Sequence, residues 1–135
     1  MKFTGVKVTF STTNNEQFEA IGDFWRVMRE LHPQSSYMGL GHNWRGNHFD
    51  YAIGERMTAR EVTSATFDMN EVKKYFPTAE IVTVDIPDKD WEAHWSSIEN
   101  LSVAYGEIWS AGTIDFEIEE FNRGQVRILV HRVDS

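Results

Sequence analysis

The sequence predicts an α+β domain of two similar β-α-β-β units that form antiparallel sheets, with helices on one side and a groove between the units. The order strand, helix, strand, strand occurs twice, at about residues 3–56 and 80–133, and residues 57–79 link the copies. A helix with a short hairpin cannot cover both faces of its sheet, so the uncovered faces are expected to meet or flank a groove. At 135 residues, the chain is expected to form a single domain, residues 1–135.

The first unit is predicted to open with a strand and a long helix. Apolar and polar residues alternate over residues 6–10, which is typical of a half-buried strand. Thr13 and Glu16 have the spacing of a capping box, which predicts a helix over residues 16–31. Pro33 ends this helix. Its predicted apolar side comprises Phe18, Ile21, Trp25, Met28 and Leu31, and it is widened by Phe24 and Val27.

A hairpin completes the first unit. Residues 37–44 and 48–56 have strand character, and Arg45-Gly46-Asn47 between them is a turn signal. One face of the second strand carries Phe49, Tyr51 and Ile53.

The linker contains one predicted short helix. Asp68 and Glu71 repeat the capping-box spacing, and a helix is predicted over residues 69–76. Pro77 ends it, because proline has no backbone N–H to donate.

The second unit repeats the pattern of the first. A strand is predicted over residues 82–86, and it is expected to resume over residues 91–95 after a turn at residues 87–89. Ser96 and Glu99 form a third capping-box spacing, which predicts another helix. That helix carries Leu101, Ala104, Tyr105 and Ile108, and Gly112 follows as its predicted C-terminal cap.

The strand predicted over residues 115–121 carries the candidate functional side chains. Phe116 and Ile118 point to one face, and Glu117, Glu119 and Phe121 point to the other. Phe116 and Ile118 are expected to pack under the helix, which turns Glu117 toward the groove. A turn at Asn122-Arg123-Gly124 then leads to a last strand with Val126, Ile128 and Val130.

The chain has more large aromatic side chains than one small core needs. If several line the cleft that holds Glu117, they form an aromatic box with a negative charge at its base, which suits an organic cation. A buried Glu117 must then be hydrogen-bonded or have a raised pKa. The tryptophans and tyrosines in question are Trp25, Tyr37, Trp44, Tyr51, Trp91, Trp95, Tyr105 and Trp109.

Simpler structural roles stay open for the same residues. The carboxylates of the 115–121 strand can be solvated, and Glu119 can couple to Glu117 on its shared face. Trp25 has the spacing of a core residue. Trp91 and Trp95 share a strand face and form either a groove wall or ordinary edge packing.

Composition excludes several classes of function. The net charge of −8 argues against sequence-independent binding to nucleic acid or to an anionic membrane. The absence of cysteine excludes thiolate chemistry. No signal-peptide pattern and no run of about 20 apolar residues is present, so a soluble cytoplasmic protein is expected. The five histidines lack zinc-site spacing, and we assign no metal, cofactor or catalytic residue.

The order and spacing of several segments resemble the GyrI-like small-molecule-binding domain. This is the effector-binding domain of many AraC-type and MerR-type regulators, and it also occurs free-standing. The resemblance covers nearly the whole chain and implies the sensor half alone. It is carried by Phe24-Trp25, Phe49-Asp50-Tyr51-Ala52-Ile53-Gly54, Ile86-Pro87 with Trp91, and Asp115-Phe116-Glu117.

The resemblance implies two pseudo-symmetric, tandem SHS2-like units with a ligand cleft between them. It also implies that Glu117 meets cationic, lipophilic ligands, and that Tyr37 and Tyr51 take the positions of family aromatics. Trp91 stands where the family often has tyrosine. Glu119 departs from the family, which usually has tyrosine there, and this departure deepens the negative potential.

Three functions are compatible with these features. The first is binding of small lipophilic or aromatic, cationic molecules by a stand-alone effector-sensing, drug-sensing or sequestering module. The second is hydrolysis of small electrophilic compounds with the same glutamate as general base. The third is a gyrase-inhibitor-like interaction with a partner protein, and a homodimer is also compatible. The predicted ligand-binding residues are Trp25, Tyr37, Tyr51, Trp91, Trp95, Trp109, Glu117 and Glu119.

Overall fold

A computed structural model describes residues 1–57 and 67–133 of the chain. The fold class is α+β, as predicted, with three helices and seven antiparallel strands in the described residues. The strands are β1 (Lys2–Ser11), β2 (Met38–Arg45), β3 (His48–Met57), β4 (Glu80–Asp85), β5 (Trp91–Ser97), β6 (Ile114–Asn122) and β7 (Gln125–Arg132). The helices are α1 (Gln17–Leu31), α2 (Met69–Tyr75) and α3 (Leu101–Ser110).

All seven strands belong to one continuous sheet, in place of the separate sheets expected from the sequence. Its order is β4-β1-β3-β2-β6-β7-β5, and β2 and β6 join the two halves of the chain. The order β1-β3-β2 in the first half corresponds to β5-β7-β6 in the second half. A pseudo-twofold relation between the halves stays a prediction.

Strands β4 and β5 lie on opposite edges of the sheet. The expectation that the strand of residues 82–86 resumes at residues 91–95 is therefore wrong: β4 pairs with β1, and β5 pairs with β7. A flat sheet of seven strands is about 29 Å wide, whereas the chain from Asp85 to Trp91 spans at most about 21 Å. The sheet must therefore curl until its two edges approach each other.

The inner side of this curl, here called the curled face, holds a hydrophobic core to which no helix of the described chain contributes. Leu40, Ile118, Phe3 and Ala52 are fully buried there, and Ile86 and Leu129 are buried beside them. Phe116 packs against the same cluster. The expectation that Phe116 and Ile118 pack under the helix is thus corrected, because the curled sheet covers its own inner face.

The three helices cover the opposite side of the sheet, here called the helix face. Side chains of α1 and α2 pack with β1 and β3, and Ile108 of α3 packs with β6 and β7. Trp25 and Met28 are buried as the helical spacing predicts, but Phe18 is 61% exposed near the start of α1.

The helix bounds lie within a few residues of the predicted ones, but the predicted capping boxes do not form. In the described chain, none of the three helices has a side-chain hydrogen bond at its N-cap residue, which is Glu16, Asp68 or Asn100. A short 3-10 turn at Thr13–Asn15 precedes α1. Among the described residues, no helix has the length and apolar character needed to cross a bilayer.

Candidate functional site

The candidate site is a cavity on the helix face, between α1 and α3. Its volume is about 930 Å³, which lies within the range of small-molecule pockets. Strands β3, β2 and β6 form its floor. The groove was expected between the uncovered sheet faces. The curl buries those faces, so the open space lies instead where the two helices stand apart.

Glu117 lies on the floor of this pocket. Its side chain is 8% exposed, and its Oε2 atom is buried without a hydrogen-bond partner in the described structure. It points to the helix face because residues 116 and 118 of the same strand occupy the curled face. An acceptor oxygen in a desolvated pocket without a donor is energetically unfavourable, and it is therefore ready to receive a ligand's donor or charge.

Glu119 is held by two tyrosines. The hydroxyl of Tyr51 donates to Glu119 Oε1 at 2.5 Å, and the hydroxyl of Tyr105 donates to Glu119 Oε2. The indole Nε1–H of Trp25 donates to the Tyr51 hydroxyl oxygen at 2.9 Å. Both oxygens of Glu119 are therefore occupied, whereas Oε2 of Glu117 is not.

Two glycines of β2 make room for this arrangement. Gly39 pairs with Glu119, and Gly41 pairs with Glu117. A Cβ atom at Gly39 would lie 1.9 Å from the Tyr51 hydroxyl oxygen, so the tyrosine reaches Glu119 only because residue 39 has no side chain. The Gly-x-Gly pattern thus forms a trough in the sheet between Tyr51 and the two glutamates.

Aromatic side chains from several elements line the pocket. The rings of Trp44 and Trp109 meet edge to face with centroids 4.9 Å apart, and Trp44 stacks on Phe49. On the α1 side, the Arg29 guanidinium lies 4.9 Å from the centroid of the Trp25 ring. The pocket therefore has apolar walls, a carboxylate pair at its base and one cation at its α1 wall.

Burial sets the protonation of the carboxylate pair. Desolvation, followed by the charge of Glu119, raises the pKa of Glu117 from 4.5 to about 8. The polar hydrogens of Tyr105 and Trp109 oppose this shift, because they lower the pKa. Burial also raises the pKa of Glu119, opposed by the hydroxyls of Tyr105 and Tyr51. Burial and the charge of Glu119 hold the pKa values of both tyrosines well above 10, so both remain hydrogen-bond donors.

Five of the eight predicted ligand-binding residues lie together in this pocket. They are Trp25, Tyr51, Trp109, Glu117 and Glu119.

The other three predicted residues lie elsewhere. Tyr37 packs on Phe67, with ring centroids 5.7 Å apart. Trp91 packs with the curled-face core and donates its Nε1–H to the Pro87 carbonyl oxygen at 2.9 Å. Trp95 is 68% exposed on an edge strand. The placement of Trp91 and Trp95 follows from strand pairing, since β5 is separated from β6 by β7.

Arg29 and the two glycines were missing from the predicted site, and Tyr105 and Trp44 were named among the candidate aromatic residues but not among the eight predicted ligand-binding residues. For Tyr105 a signal existed, because it lies four residues before Trp109 and so shares its helix face. Gly39 and Gly41 also carried a sequence signal, since glycines in a strand often mark a close approach of other groups. For Trp44 the signal was its aromatic character alone, and Arg29 had no signal, because only tertiary packing brings it here.

In residues 1–57 and 67–133, no group of three or more acidic or histidine side chains is placed to hold a metal ion. The pocket's chemistry is that of a shielded carboxylate pair under aromatic rings. Such a pair can bind a cation or exchange a proton.

Comparison with known proteins supports the fold alone. The sequence matches no family model and no curated protein. The structure is similar to a crystal structure of an integron cassette protein from the mobile metagenome of Vibrio cholerae, with a TM-score of 0.55 and 14% sequence identity. The match covers 97% of this chain and 89% of the other.

Proposed function

We propose that this protein binds small lipophilic cations in the pocket between α1 and α3, with the cationic centre next to Glu117. The observation that carries the proposal is the buried Oε2 atom of Glu117, which has no hydrogen-bond partner and lines a cavity of about 930 Å³. A cation there gains a Coulomb partner and the faces of nearby rings, the latter worth roughly 0.5–2 kcal/mol each.

The size and walls of the pocket favour a lipophilic ligand. Trp44, Trp109 and Phe49 offer apolar surface to the ligand body, and Glu117 offers a buried carboxylate oxygen that has no hydrogen-bond partner among the described residues. A stand-alone effector-sensing or sequestering module, which the GyrI-like resemblance implies, matches this chemistry.

Fluorescence titration tests the proposal. Trp25, Trp44 and Trp109 line the pocket and report on binding, and the panel pairs lipophilic cations with neutral isosteres of the same shape. We expect the cations to bind at least tenfold more tightly, and the isosteric variant Glu117→Gln to lose that preference. Glu107→Gln, which changes a carboxylate of α3 outside this pocket, should keep it. Equal affinity for both classes, or an unchanged preference in Glu117→Gln, would refute the proposal.

Hydrolysis of small electrophilic compounds is the second candidate, favoured by the pKa of about 8 of Glu117. A general base works best when its pKa lies near the working pH. Turnover of activated esters or epoxides should then rise with pH toward about 8 and disappear in Glu117→Gln. Turnover that survives in the variant would exclude Glu117 from the reaction. An interaction with a partner protein stays a prediction from the sequence.

A further inference from the structure

The carboxylates of Glu117 and Glu119 share one face of β6 but have different partners. Two tyrosine hydroxyls donate to Glu119, one to each oxygen, which stabilises its ionised form. Oε2 of Glu117 is buried without a donor, so an ionised Glu117 leaves a charged oxygen unsolvated. The geometry therefore places the negative charge on Glu119 and a proton on Glu117 when no ligand is bound.

We propose that cation binding in this pocket is an exchange reaction, in which the carboxyl proton of Glu117 leaves for solvent as the cation arrives. The O–H bond of Glu117 breaks, its electron pair stays on the carboxylate, and no other bond changes. The buried charge is the same before and after, because one new negative charge is balanced by the ligand's positive charge. This inference rests on the proposed function, since it concerns the same site.

Among the titratable groups of the pocket, Glu117 is the residue that exchanges its proton for the cation. Besides Glu117, the titratable groups that line the pocket in the described structure are Arg29 from α1, Tyr51 from β3, Glu99 before α3, Tyr105 from α3 and Glu119 from β6. Both tyrosines already donate to Glu119. Arg29 lies over the Trp25 and Phe121 rings at the α1 wall of the pocket. The raised pKa of Glu117, about 8, agrees with this assignment.

Calorimetry can count the released protons. A lipophilic quaternary ammonium ion, which has no titratable proton, is titrated at about pH 6.5 in buffers of different ionisation enthalpy. The slope of the observed enthalpy against buffer enthalpy gives the number of protons, and we expect nearly one. The apparent affinity should rise by about tenfold per pH unit below pH 8 and then level off.

Two comparisons separate this inference from the proposed function. Binding of a neutral isostere to the unmodified protein should release no protons. Binding of the cation to the Glu117→Gln variant should release none either. Binding of the cation with no proton release and no pH dependence would overturn the exchange and leave the binding proposal standing. If no cation binds at any pH, both fail together.

Discussion

At the scale of single residues, Glu117 and Glu119 show how neighbours decide what a side chain does. Both are glutamates on the same strand face, both are buried, and burial raises the pKa of each. Each oxygen of Glu119 accepts a hydrogen bond from a tyrosine hydroxyl, whereas Oε2 of Glu117 has no donor in the described structure. One carboxylate therefore acts as part of the framework, and the other is available for a ligand.

The raised pKa of Glu117 predicts a pH-dependent stability of the ligand-free protein. The unfolded chain releases this proton near pH 4.5 and the folded chain near pH 8, so the folded state binds more protons between these values. Stability contributed by the neutral form is complete below about pH 4.5 and is lost as pH rises to about 8. The free energy of unfolding, measured by urea denaturation, should therefore fall across this window.

The variant Glu117→Gln isolates this contribution from those of other groups. Because glutamine does not titrate, the fall of stability with pH should be shallower in the variant. Identical pH profiles for the two proteins would show that Glu117 ionises normally in the folded state.

At the scale of elements, the trough in β2 is what joins the two halves of the site. Tyr51 comes from β3 and Glu119 from β6, and β2 lies between them. The hydrogen bond between these side chains crosses β2 above Gly39. A strand with ordinary side chains at this position would separate them.

Gly39→Ala should therefore be destabilising. The added methyl group would lie 1.9 Å from the Tyr51 hydroxyl oxygen and force the tyrosine away from Glu119. We expect a loss of about 1–3 kcal/mol in the free energy of unfolding, measured by urea denaturation.

Gly22→Ala in α1 is the matched control, because apart from its chain neighbours and the backbone of its own helix, no described atom lies within 4 Å of its Cβ position. It should leave stability unchanged or raise it by up to about 1 kcal/mol. A Gly39→Ala protein as stable as this control would mean that Tyr51 does not need the space.

At the scale of the whole molecule, the curl of the sheet determines where the pocket can lie. The curled face is filled by the sheet's own side chains, and the helices lie on the other face with a gap between α1 and α3. The floor of the pocket consists of β2 and β3 from the first half of the chain and β6 from the second half. Neither half of the chain forms this pocket without the other.

Leu40→Ala tests whether the curled face is a true core. Leu40 is fully buried there, and its truncation should cost about 2–5 kcal/mol of unfolding free energy, measured by urea denaturation. Val103→Ala on α3, where the side chain is 62% exposed, should cost less than about 0.5 kcal/mol. Similar small costs for both variants would contradict a curled, self-covering sheet.

Part of the site could be predicted from local pattern alone. Alternation at residues 115–121 shows that Glu117 and Glu119 share a face, because side chains in a strand alternate strictly. Tyr105 and Trp109 share a helix face for the same kind of reason. Tyr37, Trp91 and Trp95 did not reach the pocket, because shared aromatic character does not specify which strands become neighbours.

The sequence by itself determined the kinds of elements, their approximate bounds and the turns between the hairpin strands. These depend on short-range spacing and on turn residues such as Gly46 and Gly124. Only the tertiary structure decided that β4 and β5 take opposite edges, that the inner face closes on itself and that the groove opens between the helices. Those outcomes depend on pairing between strands far apart in the chain, which local periodicity does not encode.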